Sequence, residues 1–227
     1  MARTFIMNEA DHQRVSDAVH AAEGGTSGEI VTIVADASDR YQDVALWWSV
    51  IVGVLALSAL AAFPHLYQTL IARLSNGWIA ELTIAEALEL ALAVFVIKFV
   101  AMRLILLWTP LLLFLTPKRI KAGRVHRRAV RYFKVGAEQR TSGRTGILIY
   151  LSMAEHQAEI VADEAIHGKV APEEWGDAMA HLVAEVRQGR VADGMVATIG
   201  DVGTILARHL PRADDDVNEL PDRLIEL

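Results

Sequence analysis

Four carboxylates stand where an α/β sheet commonly places its chemistry. Asp36 and Asp39 follow an apolar, β-branched run, Glu29–Ala35. Asp163 and Glu164 follow a second run, Ala158–Ala162. Carboxylates at strand ends suit a ligand or a hard cation, so the two pairs, if they converge, can hold Ca²⁺ or Mg²⁺. The competing reading is structural: Ser38 and Asp39 cap a turn or the next helix.

Other chemistries are excluded or weak. The chain has no Cys, which removes thiol catalysis, disulfides and Cys-ligated zinc. It has no GxxxxGK[ST] phosphate loop and no HExxH zinc motif. His12 and His20 are spaced to share one helical face, which reads as solvated surface. A second group of candidates is basic: Lys118, Arg119, Lys121, Arg124, Arg127, Arg128, Arg131 and Lys134, with no acid among residues 118–136. These suit contact with anions or anionic lipid headgroups, as does Arg144. The stretch has only Tyr132 and Phe133 as aromatic interleaving, so nucleic acid is not an expected partner.

The elements that must position these residues follow from pattern. Asn8 can cap a helix running to about Ala22, with Asp11 at the capping-box position. Gly24-Gly25 stops it, and Glu29–Ala35 reads as a buried strand. Gly143–Gly146 reads as a turn, and Ile147–Leu151 and Ala158–Ala162 as two strands close enough to pair antiparallel. Pro172 opens a helix with Glu173 and Glu174 in its first turn. A last helix runs from about Val191 to Leu210, where Gly194, Gly200 and Gly203 imply close packing on the sheet. Pro211 and the acids Asp214–Asp216 are expected to end the fold.

Between these pieces lies an apolar block. Hydrophobic residues are 53% of the chain, above the roughly 45–50% of soluble domains. Ala45–Phe63 carries no charge and has the length of about 20 residues that a membrane span needs. Trp47 and Trp48 suit the headgroup zone at its start. A second crossing runs from about Ile84 to Leu107, interrupted by Glu86, Glu89, Lys98 and Arg103. Lys98 can snorkel, and Leu111–Leu115 after Pro110 is short enough to lie at the interface. The basic flank after the block, against Arg73 alone in the Pro64–Thr83 loop, puts that flank in the cytoplasm.

The organisation read from this is 1–44, 45–117 as a transmembrane hairpin, 118–136 as a basic helix at the membrane surface, 137–213, and 214–227 as an acidic tail. One strand before the hairpin cannot make a sheet alone. Residues 1–44 and 137–213 are therefore two parts of one α/β domain, and both termini share one side of the membrane.

Several segments carry a family resemblance. They are Thr26–Val31 with Ala35–Tyr41, Arg144–Ser152, Ala154–His156 through Val161–Asp163, and Asn218–Asp222. Together they resemble the TPM domain family, and the last resembles a bacterial membrane subgroup. The resemblance implies an α/β/α sandwich with a small mixed sheet, here interrupted by a two-helix transmembrane hairpin. Some plant members, in the thylakoid lumen, are linked to photosystem repair and described as acid phosphatases; an animal member modulates a receptor channel. The expectation is an integral protein of the bacterial inner membrane with a cytoplasmic domain. It would serve as a non-catalytic interaction or assembly module for other membrane proteins. The alternative is a metal-assisted phosphomonoesterase.

Overall fold

The structure is a computed structural model that describes residues 7–65, 68–69, 73, 83–136, 145–213 and 218–227. The chain divides into two compact units, Met1–Asp39 with Pro117–Leu227, and Arg40–Thr116.

In the first unit a four-stranded mixed sheet has the order β3-β2-β1-β4. The strands are β1 (Glu29–Ala35), β2 (Gly146–Ser152), β3 (Gln157–Ala162) and β4 (Leu224–Glu226). β1 lies parallel to β2, with Glu29 opposite Gly146 and Ala35 opposite Ser152. Strands from either side of the apolar block are thus neighbours in one sheet. β3 returns antiparallel to β2, Ile147 facing Ala162.

β1 and β2 are buried along their whole length, which their unbroken β-branched and aliphatic runs require. Ile30 and Val34 of β1 point into one layer; Val31, Ile33 and Ala35 point into the other. The first layer is built by α1 (Glu9–Glu23), α7 (Pro172–Arg187) and α8 (Val191–His209). Val15, Val19, Leu182, Met195, Ile199 and Leu206 close over the sheet there and are at most 1% exposed. Each such side chain contributes about 1.5–3 kcal/mol of burial. The second layer is α5 (Lys118–Gly136), which lays Val125, Ala129 and Phe133 on Leu148 and Tyr150. The basic helix is thus amphipathic, and its apolar stripe belongs to the core.

Local signals work as their chemistry dictates. The Asn8 side chain accepts from the Asp11 N–H at 2.7 Å and caps α1. Gly203 of α8 faces α1, where an added Cβ would lie 2.7 Å from Ala22 Cβ. Gly194 faces Leu182 and Glu185 of α7, and Gly200 has nothing within 4 Å. The small residues therefore serve helix–helix contacts, not the helix–sheet contact expected from sequence, and Gly200 serves neither. A second difference is the C-terminus. Residues 214–227 read as an acidic tail, yet Leu224–Glu226 form β4, parallel to β1. The Glu29 carboxylate accepts from the Glu219 and Leu220 N–H groups at 3.3 and 3.2 Å and leads the chain back to the sheet. Asp214–Asp216 lie outside the described residues.

The second unit holds α2 (Gln42–Ala62), α3 (Ile84–Ile105) and α4 (Thr109–Leu115). α2 and α3 pack closely where Gly53 meets Phe95; a Cβ at 53 would lie 2.6 Å from the ring. Arg103 donates to the Gln42 carbonyl at 3.3 Å, tying the end of α3 to the start of α2. The Trp48 indole donates to the Leu115 carbonyl at 3.3 Å. Outward faces are apolar: Trp47, Leu55, Leu92 and Ile97 are each more than 60% exposed. By length and composition α2 can cross a membrane; α3 qualifies only as a pair with α4, across a bend of 107°. The expected second crossing ending near Leu107 is therefore a helix that turns sharply at Leu106–Trp108.

Candidate functional site

The carboxyl ends of β1 and β2 carry a buried polar network. Ser38, just past β1, donates its backbone N–H to the Glu155 carboxylate at 3.1 and 3.3 Å. Its hydroxyl bonds the Tyr150 hydroxyl at 3.0 Å and donates to Ser152 Oγ at 2.9 Å. Ser152 in turn donates to Glu155 Oε2. All four residues are at most 6% exposed. Burial pushes the Tyr150 phenol above its ordinary range, against the lowering effect of its Ser38 hydrogen bond. A hydroxyl–hydroxyl–carboxylate relay has the parts of an activated nucleophile. Here it is closed over, and its chemistry is cohesion: it pins the segment after β1 to the β2–β3 turn.

That pin positions Asp36 and Asp39. Asp36 is half-buried, and its backbone N–H donates to the Leu227 carbonyl at 2.9 Å. Its own carbonyl accepts from the Ala154 N–H at 2.9 Å. Asp39 is exposed and accepts from Arg124 of α5 at 2.6 Å. The Arg128 guanidinium stands 5.2 Å over the Tyr132 ring, whose centroid lies 5.9 Å from that of Tyr150. Arg124 and Arg128 are therefore partly absorbed by this end of the sheet. Arg119, Arg127, Arg131, Lys118 and Lys134 are exposed on α5, and Lys121 is half-exposed. Arg144 lies outside the described residues.

Asp163 and Glu164 are at the other end. The Asp163 N–H donates to the Gly146 carbonyl at 2.9 Å, beside the start of β1. The run of β1 separates it from Asp36 by about 20 Å at roughly 3.3 Å per residue. The two carboxylate pairs do not converge, because β3 runs antiparallel and its end lies at the beginning of β2. Asp163 instead caps the short helix α6 (Glu164–His167), and its Oδ2 is buried without a hydrogen-bond partner. Among the described residues no three His, Asp or Glu side chains come together as a metal site. The four-carboxylate Ca²⁺ or Mg²⁺ site does not fit this arrangement.

Sequence reasoning missed two clusters. Ser38, Ser152 and Glu155 are isolated polar residues with no periodicity. Their only sequence signal is position: Ser38 just after β1, Ser152 at the end of β2 and Glu155 in the turn that follows. The second cluster is at the start of β1. Glu23 accepts from the Ile30 N–H at 2.7 Å and from Asn218 at 3.4 Å. Burial, reinforced by Glu29 and Asp222, pushes its carboxyl up to about 8.

Residues 112–205 match the family model of the TPM domain. Over that segment the chain is similar to a TPM domain. The match runs from α4 to α8 and leaves out α1, β1 and β4, which the sheet register joins to the same unit. Among solved structures, the NMR structure of the BA42 protein from the psychrophilic bacterium Bizionia argentinensis is similar, with a TM-score of 0.57 at 17% identity. The likeness covers 100% of each chain, and at that identity it shows the shared TPM-like fold. No curated protein matched the chain.

Proposed function

We propose that this protein is a membrane-anchored TPM-domain module that binds other membrane proteins and assists their assembly or quality control. The observation that supports this best is the parallel pairing of β1 with β2. Those strands flank the apolar helices in sequence, so the insertion must leave and re-enter the domain on one side of the bilayer. Two crossings of the bacterial inner membrane satisfy this, with both termini and the TPM domain in the cytoplasm. The exposed basic residues of α5 then meet anionic headgroups.

An interaction role agrees with the closed state of the Ser38–Ser152–Glu155 relay, whose hydroxyls offer no open nucleophile. Crosslinking in intact membranes, then solubilisation and capture of the full chain, tests the reading. Discrete crosslinks to membrane proteins are expected. Hydrolysis of a generic phosphomonoester by the purified protein, raised by Mg²⁺ or Ca²⁺ and abolished by Asp36→Asn, would overturn it in favour of a phosphomonoesterase.

A further inference from the structure

β4 is short, and part of its hold on the domain depends on groups that take up protons. Leu224–Glu226 pair with Thr32, Ile33 and Val34, the middle of β1. Beyond them the Leu227 N–H donates to the Val34 carbonyl at 3.0 Å, and the Leu227 carbonyl accepts from the Asp36 N–H at 2.9 Å. Leu220 and Leu224 are each 5% exposed and enter opposite layers, Leu220 on the α5 side and Leu224 on the α1 side. A segment held by two apolar anchors and a short ladder belongs to the low end of local stability.

The remaining contacts are polar, and most reach α1. Glu226 accepts from the Met7 N–H at 2.8 Å and lies 3.3 Å from His12 Nε2, both side chains half-buried. His20 Nδ1 lies 3.0 Å from Asp222, but His20 is exposed and that pair contributes less. The Asn218 amide donates to Asp222 at 2.6 Å and to Glu23 at 3.4 Å, so two carboxyls share one donor group. Glu29 of β1 is buried and accepts from the Glu219 and Leu220 N–H groups. Glu23 is also the last residue of α1, where the helix dipole opposes negative charge. The neighbouring cations are engaged elsewhere or exposed: Arg14 meets Asp11 and Asp193 of α8, Arg212 donates to the Gly24 carbonyl at 3.4 Å, and Arg223 is exposed.

Two of these contacts, at His12 and at Glu23, need a proton. An imidazole pairs with a carboxylate as an ion only while it is protonated. Burial lifts the Glu23 carboxyl to about 8, and Glu29 and Asp222 add to this against the lowering effect of the Ile30 N–H. Once ionised, Glu23 is a third negative charge beside Glu29 and Asp222. Both groups have the same sign: the closed segment binds more protons than the released one, so release grows as pH rises.

We propose that residues 218–227 form a proton-held latch on the β1 edge, closed at low pH and released as pH rises, which uncovers the Val34 carbonyl and the Asp36 N–H.

The test uses the full chain in phosphatidylcholine nanodiscs. The sequence has no Cys, so Ala21→Cys and Arg223→Cys, both at exposed positions, can carry a pair of spin labels. Double electron–electron resonance is expected to give one short distance at low pH and a second, longer population as pH rises. The open-to-closed ratio should grow about tenfold or more between about pH 5.5 and pH 9. His12→Gln keeps a donor for Glu226 and should remove the rise below about pH 7. Glu23→Gln keeps an acceptor for the Ile30 N–H and should remove the rise near pH 8. The double variant should be flat to within about twofold. Amide exchange of the unlabelled parent, corrected for base catalysis, reads the same event without any substitution: protection at Asp36 and Leu227 should fall with pH while that of Ile147–Leu151 stays. Distances unchanged across the pH range, the same rise in the double variant, or loss of protection across the whole sheet at once would overturn the latch.

Discussion

Ser38 and Ser152 share a hydrogen bond of 2.9 Å across 114 positions of sequence, and α2, α3 and α4 lie between them. The bond ties the last residues before the insertion to the end of the strand that follows it. Ser152→Ala is expected to leave Ser38 Oγ and the buried Glu155 carboxylate each one partner short. The cost is about 1–3 kcal/mol, read as a lower melting temperature of the detergent-solubilised protein. Unchanged melting would mean that the network is not a structural pin.

The Glu23 carboxyl gives the domain a pH dependence of definite sign. Its folded-state value is raised to about 8 from an ordinary 4.5, so between those values the native state holds a proton that the unfolded state has lost. This contribution is complete below about pH 4.5 and is lost as pH rises towards 8, at no more than about 1.4 kcal/mol per pH unit. Glu23→Gln should flatten the decline and raise stability near pH 8 relative to the parent. Denaturant melts across that range, with m-values compared, decide it.

Gly203 and Gly200 lie on one helix and should respond oppositely to alanine. Gly203→Ala drives a methyl into Ala22 of α1 and should cost about 1–3 kcal/mol. Gly200→Ala meets open space and should stabilise by about 0.5–1 kcal/mol through helix propensity. Similar melting shifts for both would contradict the close α1–α8 approach.

A fragment of residues 137–227 retains β2 and β3 but loses β1, α1 and α5. Leu148 and Tyr150 would lose their α5 cover and Ile147 its β1 neighbour. No cooperative thermal transition is expected by circular dichroism, because a strand pair covered by α7 and α8 on one face alone, with its other face bare and β1 missing, is marginal. Cooperative melting would show that the C-terminal part folds by itself.

Reporter fusions at Met1, Asn76 and Leu227 test the proposed topology. Cytoplasmic signals are expected at Met1 and Leu227 and the opposite signal at Asn76. An external signal at Leu227 would be incompatible with two crossings and a cytoplasmic domain.

Sequence patterning reached most of the first unit. Runs such as EIVTIVA and ILIYL are unambiguous buried strands, and Asn8 with Asp11 sets the start of α1. The direction of β3 was readable too, from its short connection to β2. That direction decides the place of Asp163: an antiparallel return carries the strand end away from Asp36. β4 gave no signal, because three residues are too few for periodicity. Its place depends on partners elsewhere, among them the Glu29 carboxylate and the Val34 carbonyl. The apolar face of α5 was hidden because eight cations dominate its composition, while Val125, Ala129 and Phe133, with Tyr132 beside them, carry the core contact.

The parallel register of β1 and β2 also orders events at the ribosome. β1 emerges first and is buried on both sides only once α5 and β2 have been synthesised. In the proposed topology the apolar insertion is handed to the bilayer throughout that interval, while Val31 and Ile33 wait for α5 and β2. Such long-range pairing forms slowly and leaves a sticky nascent strand behind. Translation speed through the insertion therefore bears on yield. Slowing elongation there prolongs the exposure of β1, and shielding by a nascent-chain chaperone matters most before Gly146 leaves the exit tunnel.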